Sequence, residues 1–261
     1  METTPLYDKA LIEAFLRRNT PLHLYGLGDL DERFWPWTSW YGLVADGQIR
    51  AIALLYRGLT TPTLLALADA ELPELEELVR DLCARLPGRF YTHVSPGLAE
   101  VLRQRYQLEA HGLHDKMVLK DASRVAVAQT GGIVALTPQD APRVMELYDR
   151  SYPGNWFEPQ MLDTGQYFGL EEAGRLVSIA GVHVYSPTYR VAALGNIATD
   201  PDFRGRGYAR AVTAALCHNL FRTVEQIGLN VKSDNEPAIA CYRGLGFQRC
   251  AQYEEYLAAA R

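Results

Sequence analysis

The chain has 261 residues, 48% of them hydrophobic and 22% charged, and a net charge of −5. That length allows one large domain or two modest ones, with a core that needs neither disulfides nor a structural metal. Wholesale disorder is excluded by the composition, and the acidic balance argues against a dedicated nucleic-acid binder.

In chain order, the opening METTPLYDKALIEAF has no basic segment followed by an apolar one, so no signal peptide is expected. No apolar run approaches the roughly 18 residues that span a bilayer, so no membrane association is expected. The aromatic run Phe34-Trp35-Pro36-Trp37-Thr38-Ser39-Trp40-Tyr41 reads as packing in a first domain or at its interface rather than as a pocket lining. Residues 40–53, WYGLVADGQIRAIA, read as a strand, a turn at Gly47 and a returning strand. A strand at 64–68 then leads to a helix over 72–86, whose apolar stripe is Leu75, Leu78, Val79 and Leu82. A strand at 90–94, a helix at 98–104 and a strand pair around Leu108 and Met117–Leu119 complete the half. His111 and His114-Asp115 lie close together, but no third ligand is evident and no metal is expected.

The second half repeats this order. Residues 167–180, YFGLEEAGRLVSIA, match 40–53 without a gap at Gly169, Leu170, Gly174, Ile179 and Ala180. A strand at 192–199 leads to a helix over 208–221 with the stripe Ala209, Val212, Leu216 and Leu220. A strand at 227–231, a helix at 237–244 and a strand from Phe247 follow. The offset between matching positions rises from 127 at Ala53 and Ala180 to 139 at Leu108 and Phe247. The inserted stretch is TDPDFRGRGYAR. The polar run from Asp121 to Gly132 separates the halves and predicts domains at 1–125 and 126–261, although Val125 and Val127 also fit a strand extension. The four cysteines (Cys83, Cys217, Cys241, Cys250) form no C-x-x-C pair, which suits reduced thiols in a cytoplasmic protein.

Chemistry concentrates in the inserted loop. Two glycines alternate with arginines between a strand and a helix, so backbone N–H groups can converge beside the positive end of the helix dipole. Such a cradle suits a pyrophosphate. Between Asp202 and Arg222 the chain carries four arginines and one acid, a basic spot in an acidic protein. The P-loop pattern G-x-x-x-x-G-K-[ST] is absent, and a dinucleotide fingerprint fails at Arg210 and for want of an acid ending the next strand. Downstream, Asn235 can cap the short helix that carries Ala238 and Tyr242, and Gly246 suits its C-terminal cap.

Arg204-Gly205-Arg206-Gly207-Tyr208-Ala209 resembles the [Q/R]-x-x-G-x-[G/A] signature of the GCN5-related N-acetyltransferase (GNAT) superfamily. The run from Asn235 through Ala238 and Tyr242 to Gly246-Phe247 resembles that superfamily's later motif, in the right order. The likeness covers residues 133–257, and the first half resembles a degenerate copy that lacks the loop. The whole is similar to tandem acetyltransferases, with the layout of glycine N-acyltransferase-like proteins and mycothiol synthase. This resemblance implies an α/β fold of two tandem acyl-CoA N-acyltransferase-like domains, each a central mixed, mostly antiparallel sheet flanked by helices. It implies acetyl-CoA as cosubstrate, with no metal, between splayed parallel strands. Ile197, Ala198 and Thr199 would meet the pantetheine arm, the amides from Arg204 to Ala209 the pyrophosphate, and Asn235 the pantetheine. Tyr242 would be the general acid.

The strand AALGNIAT has no carboxylate where family members often place a base. His183 is the leading candidate base, with Glu158 and Asp200 behind it and a water chain as the other route. Trp156, Phe157 and Glu158 are expected on the acceptor side. The expected activity is transfer of an acetyl group to a small-molecule amine by direct attack on the thioester, in a cytoplasmic monomer or homodimer. The alternative is a non-catalytic acyl-CoA-binding or regulatory module.

Overall fold

The structure is a computed structural model, and it describes every residue except 69–71, 127, 129 and 130. Val127, read above as part of a strand extension, lies outside the described residues. The first stretch of chain runs β1 (Glu2–Leu6), α1 (Lys9–Leu16), α2 (Thr20–Asp29), β2 (Thr38–Ala45), β3 (Gln48–Tyr56), β4 (Thr63–Ala66), α3 (Leu72–Leu82), β5 (Arg89–Val94), α4 (Ala99–Arg103) and β6 (Tyr106–Leu119). The second runs α5 (Ser123–Ala126), β7 (Ile133–Ala135), α6 (Ala141–Ser151), β8 (Phe168–Glu172), β9 (Arg175–Ser186), β10 (Val191–Thr199), α7 (Tyr208–Leu220), β11 (Gln226–Lys232), α8 (Glu236–Gly244) and β12 (Phe247–Ala260).

The chain forms two compact units, one of residues 1–116, 231–234 and 249–261, the other of residues 117–230 and 235–248. This corrects the expected division at 125/126. The final strand was expected to complete the second half. From Arg249 onward it belongs to the first unit, where β12 lies between β5 and β6. Its partner β5 runs antiparallel, from Glu254 opposite Val94 to Ala259 opposite Arg89.

In the first unit the strand order is β1-β2-β3-β4-β5-β12-β6, mixed because β4 and β5 are parallel. The α3 stripe Leu75, Leu78, Val79 and Leu82 is buried as expected, packed with Leu55, Leu64, Phe90 and, from β12, Tyr256 and Ala258. Each such fully buried side chain contributes about 2 kcal/mol. From the aromatic run, Trp40 is buried and would meet any side chain added at Gly26, whereas Trp37 is exposed. Beyond the paired residues of β4 and β5, Ser95 keeps the two segments together. Its N–H donates to the Ala66 carbonyl at 3.1 Å and its Oγ accepts from the Ala68 N–H at 2.9 Å.

Three imidazoles surround one carboxylate on this sheet. His93 Nε2 lies 3.4 Å and His114 Nε2 3.6 Å from Glu255 Oε2, and His111 Nδ1 lies 3.4 Å from Oε1. Among the described residues no group of three or more His, Cys, Asp or Glu is arranged to hold a metal ion. Burial alone would raise the Glu255 pKa, but the hydrogen bond from His93 and the charges of His93, His114 and His111 bring it down to about 2. A carboxylate depressed from 4.5 stabilises the fold above its unfolded pKa, and this is lost as pH falls through 4.5 towards 2. Glu255→Gln is therefore expected to cost about 3 kcal/mol of unfolding free energy at pH 5, a gap that closes near pH 2. Urea unfolding at both pH values checks this. A gap of equal size at both would contradict the assignment.

The second unit's order is β11-β10-β9-β8-β7, with only β10 and β11 parallel. The hairpins β2–β3 and β8–β9 turn alike. Asp46 and Gly47 have φ of 52° and 72°, and Ala173 and Gly174 have 49° and 78°, the paired positive values of a type I′ turn. Val212, Leu216 and Leu220 of α7 are buried, while Ala209 is half-buried. The fold is thus mixed α/β in two units, as the sequence predicts. No helix among the described residues is long and apolar enough to cross a membrane.

Candidate active site

The second unit opens where its two parallel strands stop pairing. Val191 to Leu194 face Gln226 to Leu229, and β10 then continues to Thr199 without further pairing to β11. At the same place β10 bulges away from β9. Gly195 opposes Gly181 and Ala198 opposes Ile179, so Asn196 and Ile197 together face a single residue. Asn196 sits there at φ 55°, a left-handed conformation that Asn tolerates better than most residues. Gly195, Ile197 and Thr199 are half-buried while Asn196, Ala198 and Asp200 are buried, so alternate residues present two different faces.

The loop after β10 is anchored by Asp200. Its carboxylate accepts from Arg150 Nε at 3.1 Å, from an Arg175 guanidinium nitrogen at 2.5 Å and from the Asp202 N–H at 3.2 Å. Burial pushes its pKa up, but the Asp202 N–H and the two guanidiniums outweigh this and hold it below the ordinary carboxylate value. Asp200 is therefore committed to structure, and its place among the candidate bases is corrected. Gly205 and Gly207 then take φ of 76° and 82°, and a Cβ built at either meets no atom of the described residues within 4 Å. The first helical bond of α7 runs from the Ala211 N–H to the Gly207 carbonyl, so the N–H groups of Tyr208 to Arg210 precede it. These donors, the dipole end and the open space above the glycines fit a pyrophosphate.

Arg204 and Arg206 make hydrogen bonds to nearby carbonyls. Arg204 Nε donates to the Thr199 carbonyl at 3.3 Å, and its terminal nitrogen donates to Ser151 at 3.4 Å. Arg206 donates to the Asp202 carbonyl and covers the Phe203 ring at 4.9 Å. The Tyr208 hydroxyl donates to Glu172. Arg204 and Arg206 are exposed, and their hydrogen bonds brace the loop.

Asn235 caps α8, its Oδ1 accepting from the Ala238 N–H at 3.3 Å. Tyr242 lies two turns on, 8% exposed, with its ring edge-on to Phe247 at 6.1 Å. Its hydroxyl makes no hydrogen bond to any described residue. Burial, then Cys241 and Tyr152, push its pKa far up, so the phenol stays protonated across the physiological range.

His183 lies on β9 with its ring over Gly195, where an added Cβ would meet it at 2.2 Å. Phe157 packs against Tyr148 at 5.1 Å and Tyr167 at 5.7 Å, which brings its loop towards the β10 bulge, while Trp156 is 39% exposed. Glu158 begins the turn before Pro159. Sequence reasoning missed Tyr148 and Tyr167, whose hydroxyls reach Asn196 from 48 and 29 residues away. The only local signal was a Gly-Asn pair inside a strand, which hints at a bulge.

Residues 136–247 match the Acetyltransferase (GNAT) family. The chain is 33% identical over 135 residues to the N-alpha-acetyltransferase RimI of Mycobacterium tuberculosis, covering 48% of this chain and 82% of that protein. It is 38% identical over 102 residues to a mycothiol acetyltransferase of Saccharomonospora viridis, covering 36% of this chain and 32% of that one. The matched stretch thus spans about a third of the length of that relative, and a similar share of an uncharacterized Mycobacterium leprae protein. A tandem GNAT protein from the clavulanic acid biosynthesis pathway shares the fold, with a TM-score of 0.58 at 16% identity over 100% of this chain and 98% of its own.

Proposed function

The chain belongs to the GNAT acetyltransferase family, and from that premise we propose that its second unit binds acetyl-CoA and acetylates an amine. The observation that carries the chemistry is Tyr242, a buried, protonated hydroxyl with no hydrogen bond to any described residue, on the helix that Asn235 caps.

Acetyl-CoA supplies an activated carbonyl and a thiolate leaving group. The amides of Arg204 to Ala209 hold its pyrophosphate, while the open edge of β10 at Ile197–Thr199, with Asn235, receives the pantetheine arm. The β10 bulge offers a backbone N–H to the thioester oxygen as negative charge develops there. Tyr242 gives its proton to the departing thiolate sulfur, whose intrinsic pKa is roughly 8.5 if it resembles cysteine. His183, beside Gly195, takes a proton from the attacking amine, which must be neutral to attack. Trp156, Phe157 and Glu158 border the acceptor.

The first unit serves as a degenerate copy. Its Ser95 stitch holds β4 and β5 together where β10 and β11 part. The acceptor is a small amine. The likeness to RimI favours a second reading, a protein N-terminus. Thiol release from acetyl-CoA, measured over a panel of small amines and short peptides with free N-termini, separates these. No thiol release with any acceptor of either set, despite tight coenzyme binding, would leave the non-catalytic alternative standing.

A further inference from the structure

We infer that Tyr148 and Tyr167 are positioning residues that set the aim of the β10 bulge at the acyl-thioester carbonyl. The inference rests on the acetyl-CoA reading above.

Asn196 is an awkward residue to keep inside a sheet. Its φ is 55°, it is 4% exposed, and its Oδ1 is buried with no hydrogen-bond partner among the described residues. A left-handed residue and an unsatisfied buried acceptor both cost stability, and such a conformation persists only when its surroundings over-determine it. Here the surroundings are two tyrosine hydroxyls and the Met161 sulfur, which accepts from Asn196 Nδ2 at 3.6 Å. Tyr148, on α6 and 2% exposed, donates to the Asn196 carbonyl at 2.6 Å. Tyr167, fully buried, donates to the Val182 carbonyl on β9 at 3.0 Å and accepts from Asn196 Nδ2 at 3.1 Å. One hydroxyl fixes the bulge's backbone and the other ties its side chain to the neighbouring strand.

The rest of the packing serves the same two rings. A Cβ at Gly181 would lie 2.0 Å from the Tyr167 ring, so only glycine there lets Tyr167 reach under the bulge. Gly181 is also the register partner of Gly195, the residue at which the bulge begins. Phe157 wedges against both tyrosines from the loop on the acceptor side. Burial, followed by neighbouring tyrosines, raises the Tyr148 pKa, and burial raises that of Tyr167 despite Asn196, so both remain hydrogen-bond donors. The orientation of a peptide N–H at the bulge depends on the φ and ψ of Asn196, and the clamp fixes that residue from both ends.

The test uses acetyl-CoA labelled with 13C at the thioester carbonyl, bound to the full chain, with the infrared band of the bound carbonyl as readout. Calorimetry measures affinity in parallel. The wild-type band is expected below its position in free acetyl-CoA, because a donated hydrogen bond weakens C=O. In Tyr148→Phe and Tyr167→Phe the band is expected to return at least halfway to the free position, with affinity changed less than about threefold because the pyrophosphate cradle is untouched. Asn196→Gly, which keeps the left-handed backbone but loses the side-chain tie, is expected to behave like Tyr167→Phe. A band identical in the wild type and all three variants would overturn the clamp while leaving the coenzyme reading intact. Variants that lose acetyl-CoA affinity altogether would also overturn it, since the hydroxyls would then be merely structural. If the wild type shows no bound band and no binding heat, the coenzyme reading itself fails, and the clamp with it.

Discussion

Replacing Gly207 by aspartate is expected to weaken acetyl-CoA binding at least a hundredfold, about 3 kcal/mol, in a calorimetric titration. Two effects add. Gly207 caps α7 at φ 82°, a conformation that costs a side-chain-bearing residue about 1–2 kcal/mol. The carboxylate would also stand where the helix end and the amides of Tyr208 to Arg210 receive a phosphate, in space otherwise open. Gly207→Ala separates the two effects. It carries the strain without the charge, meets no atom within 4 Å, and is expected to lose about tenfold. If Gly207→Asp binds as tightly as the wild type, the pyrophosphate does not sit on this loop.

Removing the phenol of Tyr242 is expected to slow turnover about a hundredfold or more while leaving acetyl-CoA affinity nearly unchanged. The ring is 8% exposed and packs edge-on against Phe247, and Tyr242→Phe keeps that packing. Because the hydroxyl has no bond to any described residue, its deletion leaves no buried partner unsatisfied and little stability should be lost. A fall in kcat with constant affinity identifies an interaction made only as the thiolate departs. Unchanged kcat would remove Tyr242 from the chemistry. The raised pKa adds a pH signature: the wild type is not expected to lose activity through Tyr242 ionisation on approaching pH 10.

What the sequence made legible was local. The Asp46-Gly47 and Ala173-Gly174 turns declared both hairpins, and the α3 and α7 stripes declared which faces are buried. The loop from Asp200 to Gly207 announced itself through Gly and Arg spacing, although the hydrogen bonds by which Arg204 and Arg206 brace it were not legible. What the sequence hid was non-local. Strand pairing in a sheet is not written in either strand alone, so nothing in Phe247–Ala260 revealed that the chain's last segment is inserted between β5 and β6 of the first unit. For the same reason His93, His111 and His114 gave no hint of Glu255, far along the chain. Asn196 read as an ordinary strand residue because its left-handed backbone is secured by Tyr148 and Tyr167, which reach it from distant segments.

The two units carry the same plan with opposite outcomes at one point, where Ser95 closes one parallel pair and the β10 bulge opens the other. A calorimetric titration of acetyl-CoA into the full chain counts the working clefts directly. One site per chain is the predicted stoichiometry. Two sites per chain, or no binding heat at all, would contradict the assignment of coenzyme binding to the second unit alone.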